Sequence, residues 1–155
     1  MSIENIIVGK HTLESLTVGM YSDPFTVFRE YIQNSSDSID EAIKEGIINK
    51  KDAKIDIIVN RKEAIIEIKD NGKGISTKEA YKVLCDIGNS SKDYAESRGF
   101  RGIGRLGGLG YANKLIFITS TRGESKKVTI CWDCVKLKEM LKPGKYRSYD
   151  IIKVI

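Results

Sequence analysis

Gly99-Phe100-Arg101-Gly102-Ile103-Gly104-Arg105-Leu106-Gly107-Gly108-Leu109-Gly110 places six glycines within twelve residues. Such a density leaves a run of backbone N–H groups unshielded by side chains, and where the run leads into a helix start it forms a ready anion site. Three familiar phosphate motifs fail on this stretch. Gly102-x-Gly104-x-x-Gly107 spells the dinucleotide fingerprint, but that fingerprint needs an apolar strand before it, and Ser90 to Arg98 is polar. No His-Arg-Asp or Asp-Phe-Gly segment follows, as a protein kinase would require. A Gly-x4-Gly-Lys-Ser/Thr loop is absent. Nine of the 14 glycines lie between Gly72 and Gly110, against two prolines in the whole chain, so this is where a ligand is expected.

Upstream, Asp70-Asn71-Gly72-Lys73-Gly74 closes a strand-like run. Asn-Gly and Gly-x-Gly are common turn signals and read equally well as a plain turn. In a functional reading, Asp70 lies on a pocket floor where a carboxylate accepts from an exocyclic amine, and the glycines let backbone approach a flat base. Further upstream, Asp23 and Pro24 start a helix that runs to about Glu45 and stops at Gly46. Phe28, Ile32, Ile39 and Ile43 form its apolar stripe. Glu30, Asn34, Asp37 and Glu41, spaced 4, 3 and 4, lie nearly opposite. A wet amphipathic face accounts for that second stripe, yet Asn34, Ser35 and Ser36 are poor choices for a helix interior. Glutamate and asparagine one turn apart hold an attacking water and a hard cation together, and Mg2+ takes oxygen ligands while keeping waters.

The remaining pattern is two-layered. Ile6 to Val8 reads as a short strand and Thr12 to Met20 as a weak helix. Ile55 to Val59 and Ala64 to Ile68 form a hairpin across Asn60-Arg61-Lys62-Glu63. Ser76 and Glu79 make a capping box for a helix from Thr77 to Asp86. Asn89 to Phe100 is an aperiodic polar loop. Leu115 to Thr119 and Val128 to Trp132 pair across Arg122-Gly123, Val135 to Leu141 forms a short helix, and a strand opens at Tyr149. Helices against a largely antiparallel sheet make an α+β fold.

The 155 residues suffice for one domain. With 41% hydrophobic and 30% charged residues, the composition excludes a disordered tail, a collagen or a coiled coil. No apolar run nears the ~20 residues of a membrane span, so no membrane partner is expected. Met1 to Asn5 lacks the start of a secretory signal, and three cysteines are an odd number, which points to a reduced, cytoplasmic protein. The charge of +5 permits nucleic acid, but no basic stripe interleaved with aromatics supports it. His11 reads as a surface or structural residue. Cys131-x-x-Cys134 reads as strand cysteines, because a zinc site lacks its other half.

Taken in order, the three segments resemble the GHKL ATPase superfamily of DNA gyrase B subunits, heat-shock protein 90 chaperones, MutL proteins and histidine kinases. Glu30-x3-Asn34-x2-Asp37 is similar to its N box, Asp70-x-Gly72-x-Gly74 to its first glycine box, and Gly99 to Gly104 to its second. The branch resembled most is the chaperone-like or MutL-like one. The resemblance implies a Bergerat two-layer sandwich with helices on one face of the sheet and ATP between the layers. It further implies that Asn34 ligates Mg2+ and Glu30 acts as general base. Asp70 would bind the adenine amine, with Gly72 and Gly74 forming the base pocket. Gly99, Gly102 and Gly104 would form the phosphate loop, and Asp37 would orient the surroundings of Asn34 or Asp70. Lys92 and Arg101 would reach phosphates as a lid closes.

A glutamate at position 30 favours hydrolysis over the phosphotransfer of a histidine-kinase-type domain. A non-hydrolysing nucleotide-binding regulatory module, or one associated with nucleic acid, stays open as an alternative. The family's late-strand threonine is not identifiable, Thr119 and Thr121 being too early. The expectation is therefore a domain over 1–155 truncated at its C-terminal end, belonging to a larger protein with a downstream coupling domain. ATP-dependent homodimerisation is expected of that larger protein, with ATP and ADP as ligands and an unidentified client.

Overall fold

The computed structural model describes residues 23–85, 104–140 and 152–154. Helix α1 spans Pro24–Lys44. Asp23 caps it by accepting from Phe25 N at 3.0 Å. At the other end Ile47 N donates to Ala42 O at 2.8 Å and Gly46 N to Ile43 O at 3.0 Å. Gly46 has φ +69°. These are the paired bonds of a Schellman stop, which needs a left-handed residue at that point.

Strands β1 (Ile55–Asn60) and β2 (Ile65–Asp70) pair antiparallel, with Ile57 opposite Ile68 and Val59 opposite Ile66. The turn ends on Ala64, at φ +52°, one residue later than the sequence signal placed it. Asn60 causes the shift by joining the strand while its side chain holds the turn. Its Oδ1 accepts from Glu63 N at 3.2 Å and its Nδ2 donates to Glu63 Oε2 at 3.1 Å.

Helix α2 is Ala80–Cys85, shorter than the expected Thr77 to Asp86. Thr77 is held elsewhere, since its N–H and hydroxyl both donate to Glu124 Oε1 at 2.9 Å. The capping box is also altered. Ser76 Oγ bonds Glu79 Oε2 at 2.7 Å, while Ser76 O accepts from Glu79 N and Ala80 N.

A 3-10 helix covers Gly104–Gly110, followed by β3 (Lys114–Thr119), β4 (Val128–Asp133), α3 (Cys134–Met140) and β5 (Ile152–Val154). The second sheet runs β3-β4-β5, antiparallel throughout. Among the described residues the strands thus form two antiparallel sheets. Helix α1 packs on β1, β2 and the 3-10 helix, α2 against β4 and α3 against β3, giving an α+β fold. The core gathers Trp132, Ile130, Leu106, Leu109, Leu84 and Leu137. Cys85 and Cys134 are buried thiols, and burial pushes the Cys134 thiol up to about 11. The N-terminal strand and helix, His11 and the polar loop at Asn89 to Phe100 lie outside the described residues.

The apolar stripe of α1 is corrected. The residues it buries are Val27, Ser35, Ile39 and Ala42, while Ile32 remains 37% exposed. At about 100° per residue the helix is turned by some 60° from the expected face. Glycine backbone lies beneath part of it, and Ala42 and Val27 sink deepest, with Ser35 and Ile39 next.

Candidate functional site

Helix α1 organises the site through a row that advances by 4, 3 and 4 residues: Tyr31, Ser35, Ser38 and Ala42. Each is one position beyond a member of the polar stripe Glu30, Asn34, Asp37, Glu41. This row meets both glycine segments. Gly108 N donates to the Tyr31 hydroxyl at 3.0 Å. A Cβ on Gly108 would lie 2.6 Å from that oxygen. Ser35 Oγ donates to Asp70 Oδ2 at 3.0 Å. Ser38 O accepts from Lys73 N at 3.0 Å, and its Oγ accepts from Gly74 N at 3.4 Å. A Cβ on Gly72 would come within 2.6 Å of the Ser38 carbonyl carbon and 2.8 Å of Ile39 N. No side chain fits between helix and loop there.

The Asp70–Gly74 loop is held on its other flank as well. Gly74, at φ +69°, would drive a Cβ into the Ser120 carbonyl, whose carbon would stand 3.0 Å away. Ile75 N donates to Thr119 Oγ1 at 2.9 Å, and that hydroxyl donates back to Ile75 O at 3.3 Å. Lys73 Nζ contacts Glu45 Oε1 at 2.5 Å and Glu41 Oε2 at 3.8 Å. The Glu45 hydrogen bond raises the Lys73 ammonium above the ordinary lysine value, with Glu41 adding to it. Glu124 ties in the turn before α2. Backbone N–H bonds from Thr77 and Thr121 hold its carboxyl below the usual glutamate value. The loop is thereby clamped between α1 and the β3–β4 turn.

At the other end of the row, Gly104 lies directly against Glu30. A Cβ on Gly104 would overlap the Glu30 carboxylate, with Cδ at 3.1 Å. Asn34, one turn along, is exposed. Glu30 and Ser35 are five residues apart, about 7.5 Å of helix. One face of α1 therefore presents a carboxylate beside a glycine backbone at one end and a fixed aspartate at the other.

The expected residues are distributed accordingly. Glu30, Asn34, Asp70, Gly72, Gly74 and Gly104 gather along this face. Asp37 instead accepts from Gln33 Nε2 at 2.8 Å, within its own helix, and not from Asn34 or a partner of Asp70. Lys92, Gly99, Arg101 and Gly102 lie outside the described residues. Tyr31, Ser38, Lys73, Thr119 and Glu124 were not anticipated. The available signal was the row one residue beyond the polar stripe, where two hydroxyl residues replace better helix formers.

Mg2+ fits these residues. Glu30 and Asn34 offer hard oxygen donors one turn apart. Among the described residues no cluster of three or more His, Cys, Asp or Glu is able to cage a metal.

Comparison with known proteins gives a consistent result. The family model for histidine kinase-, DNA gyrase B- and HSP90-like ATPases matches residues 21–154. The chaperone protein HtpG of Geobacter metallireducens is 26% identical over 140 residues, covering 78% of this chain and 22% of that protein. HtpG of Legionella pneumophila (strain Lens) is 37% identical over 87 residues, 52% of this chain and 14% of that protein. HtpG of Rhodococcus jostii is 27% identical over 137 residues, covering 76% and 21%. The chain spans about a fifth of the length of the Geobacter metallireducens and Rhodococcus jostii proteins. Among the described residues no helix is long and apolar enough to cross a membrane.

Proposed function

The chain belongs to the family of histidine kinase-, DNA gyrase B- and HSP90-like ATPases, and we propose that it binds ATP with Mg2+ along the α1 face and hydrolyses it. The observation that carries the proposal is the abutment of Glu30 on Gly104. It sets a carboxylate beside the backbone of a phosphate-type loop, where an attacking water and a terminal phosphate would meet.

The purine lies at the Asp70 end, its amine donating to the carboxylate that Ser35 and Gly72 hold. Gly72 and Gly74 bring backbone close to the ring. Gly104 would offer its N–H to phosphate oxygens. The resemblance assigns the same task to Gly99 and Gly102, and phosphate contacts to Lys92 and Arg101, all four outside the described residues. Asn34 would hold Mg2+ through its amide oxygen. When bound, Mg2+ supplies charge neutralisation on the phosphates. Glu30 takes a proton from the water as it attacks, within hydrogen-bond reach of the phosphate end. Asp37 supports this face through Gln33.

The proposal extends to a larger polypeptide in which lid closure drives homodimerisation and coupling to a downstream domain. It is supported by the three boxes and by relatives that are chaperones. A cytoplasmic setting accords with the odd number of cysteines.

Calorimetry and phosphate release on wild type, Glu30→Ala and Asn34→Ala test the core reading. Glu30→Ala should bind Mg·ATP with near-wild-type affinity and lose turnover by about a hundredfold or more, the usual worth of a general base. Asn34→Ala should lose the Mg2+ dependence of binding. Turnover unchanged in Glu30→Ala removes Glu30 from the chemistry.

A further inference from the structure

Gly104–Gly110 is a 3-10 helix of 7 residues that contains Gly104, Gly107, Gly108 and Gly110. Such helices rarely run beyond about four residues, and glycine is a poor helix former, so local preference does not hold this segment in shape. Gly108 is where it is held. Its N–H donates to the hydroxyl of Tyr31, a half-buried residue of α1, at 3.0 Å. Its carbonyl accepts from Tyr111 N at 3.1 Å and from Ala112 N at 2.9 Å. A Cβ at this position would stand 2.6 Å from the Tyr31 oxygen and 3.1 Å from Leu115 Cδ1 in β3. Gly108 is therefore gripped between the long helix and the second sheet.

Tyr31 follows Glu30 directly in α1, so the helix backbone fixes the spacing of the two side chains. Gly104, the first residue of the segment, rests against the Glu30 carboxylate. Neighbouring residues of one helix thus meet the segment at Gly104 and at Gly108. An α-helical turn between those two glycines needs the Gly108 N–H for the Gly104 carbonyl, and the Tyr31 hydroxyl claims that N–H instead. The 3-10 form, at about 2.0 Å per residue, sets the two glycines about 8 Å apart along the axis, against about 6 Å in the α form. With Gly108 anchored to the sheet, relaxation into the α form would carry Gly104 about 2 Å past Glu30. A misplacement of about 1 Å can slow a catalysed step by about a hundredfold.

We propose that Tyr31 is a positioning residue for hydrolysis. By taking the Gly108 N–H it keeps Gly104–Gly110 in the longer 3-10 form, and so sets the Gly104 backbone at its distance from the Glu30 carboxylate. This inference rests on the reading above of Glu30 as general base in an ATP site.

Two variants break the bond from opposite sides. Tyr31→Phe removes the acceptor, and Gly108→Ala pushes the hydroxyl away. Each is compared with wild type, with Glu30→Ala and with Gly46→Ala, whose strain lies at the stop of α1. The readouts on the 155-residue chain are Mg·ATP calorimetry, single-turnover phosphate release and thermal unfolding, with rates taken below each unfolding transition. Tyr31→Phe and Gly108→Ala should bind Mg·ATP with near-wild-type affinity and release phosphate about ten- to a hundredfold more slowly. Gly46→Ala should be destabilised yet release phosphate at the wild-type rate, which separates positioning from stability. If one of the two variants does not fold, the other decides.

Phosphate release at the wild-type rate in either folded variant, with Glu30→Ala inactive, overturns the positioning role and leaves the ATP reading standing. An affinity loss that accounts for the whole rate loss does the same, because it marks a segment needed for binding rather than for placing Glu30. Unchanged phosphate release in Glu30→Ala, or no binding of Mg·ATP by wild type, overturns both.

Discussion

Gly46 and Gly74 share the same φ, +69°, but differ in what surrounds them. Nothing lies within 4 Å of a Cβ at Gly46, whereas one at Gly74 runs into the Ser120 carbonyl. Substituting alanine at each therefore separates backbone strain from collision. Forcing an L-residue into the left-handed region costs about 1–2 kcal/mol, and both variants incur it. Only Gly74→Ala must also displace a packed backbone, for which overpacking adds about 1–3 kcal/mol. Ser120 cannot easily retreat, because Thr119 beside it bonds Ile75 in both directions. Gly46→Ala should lose about 1–2 kcal/mol and Gly74→Ala about 2–5 kcal/mol. Urea unfolding with a common m-value measures both losses. Gly74→Ala should also weaken ATP binding, while Gly46→Ala leaves it unchanged. Equal stability losses in the two variants would refute the claim that the glycine loop is wedged between α1 and the β3–β4 turn.

Gly104→Ala should behave differently from Gly74→Ala, because its Cβ meets a flexible side chain. Stability should fall by no more than about 1 kcal/mol, yet phosphate release should drop sharply with ATP affinity retained, as Glu30 is pushed aside. Ala64→Gly relieves the positive φ in the β1–β2 turn and should stabilise the chain by about 0.5–1 kcal/mol without changing nucleotide affinity. Glu124, whose folded-state pKa is lowered by the Thr77 and Thr121 N–H groups, contributes stability that is present above the unfolded glutamate value. That contribution is lost as pH falls from there through the lowered folded value. The melting temperature of wild type should therefore fall more steeply below pH 4.5 than that of Glu124→Gln, and parallel profiles would show that Glu124 is not clamping the turn.

Much of the scaffold was legible because local chemistry decided it. Asp23-Pro24 and Gly46 delimit α1, and the short runs rich in β-branched and apolar residues at Ile55 to Val59 and Leu115 to Thr119 mark strands. The differences arose where another side chain took up a group first, from far along the chain or from the next turn. Thr77 has the propensity and the cap to start a helix, but Glu124, 47 residues away, takes its N–H and hydroxyl. Asp37 shares the spacing of Glu30 and Asn34, yet Gln33 sits one turn back on the same helix and engages it first. The first cannot be read without knowing what packs alongside, whereas the second is an i,i+4 pair open to the sequence.

The rotation of α1 follows the same logic and explains why the site forms where it does. A hydrophobic stripe predicts the buried face of a helix when the surface opposite is made of side chains. Here that surface includes the backbone of Gly72, Gly104 and Gly108, and of the expected stripe Ile39 alone is buried. Backbone carries polar groups that must be paired once covered. The helix accordingly turns toward them the residues able to bond N–H groups and a carboxylate at short range: Tyr31, Ser35 and Ser38. Glu30 and Asn34, adjacent to that row, then fall at its rim, close to the glycine backbone and still open to a ligand. Glycine density and mid-helix serines are thus two sides of one packing requirement, and each is interpretable only beside the other.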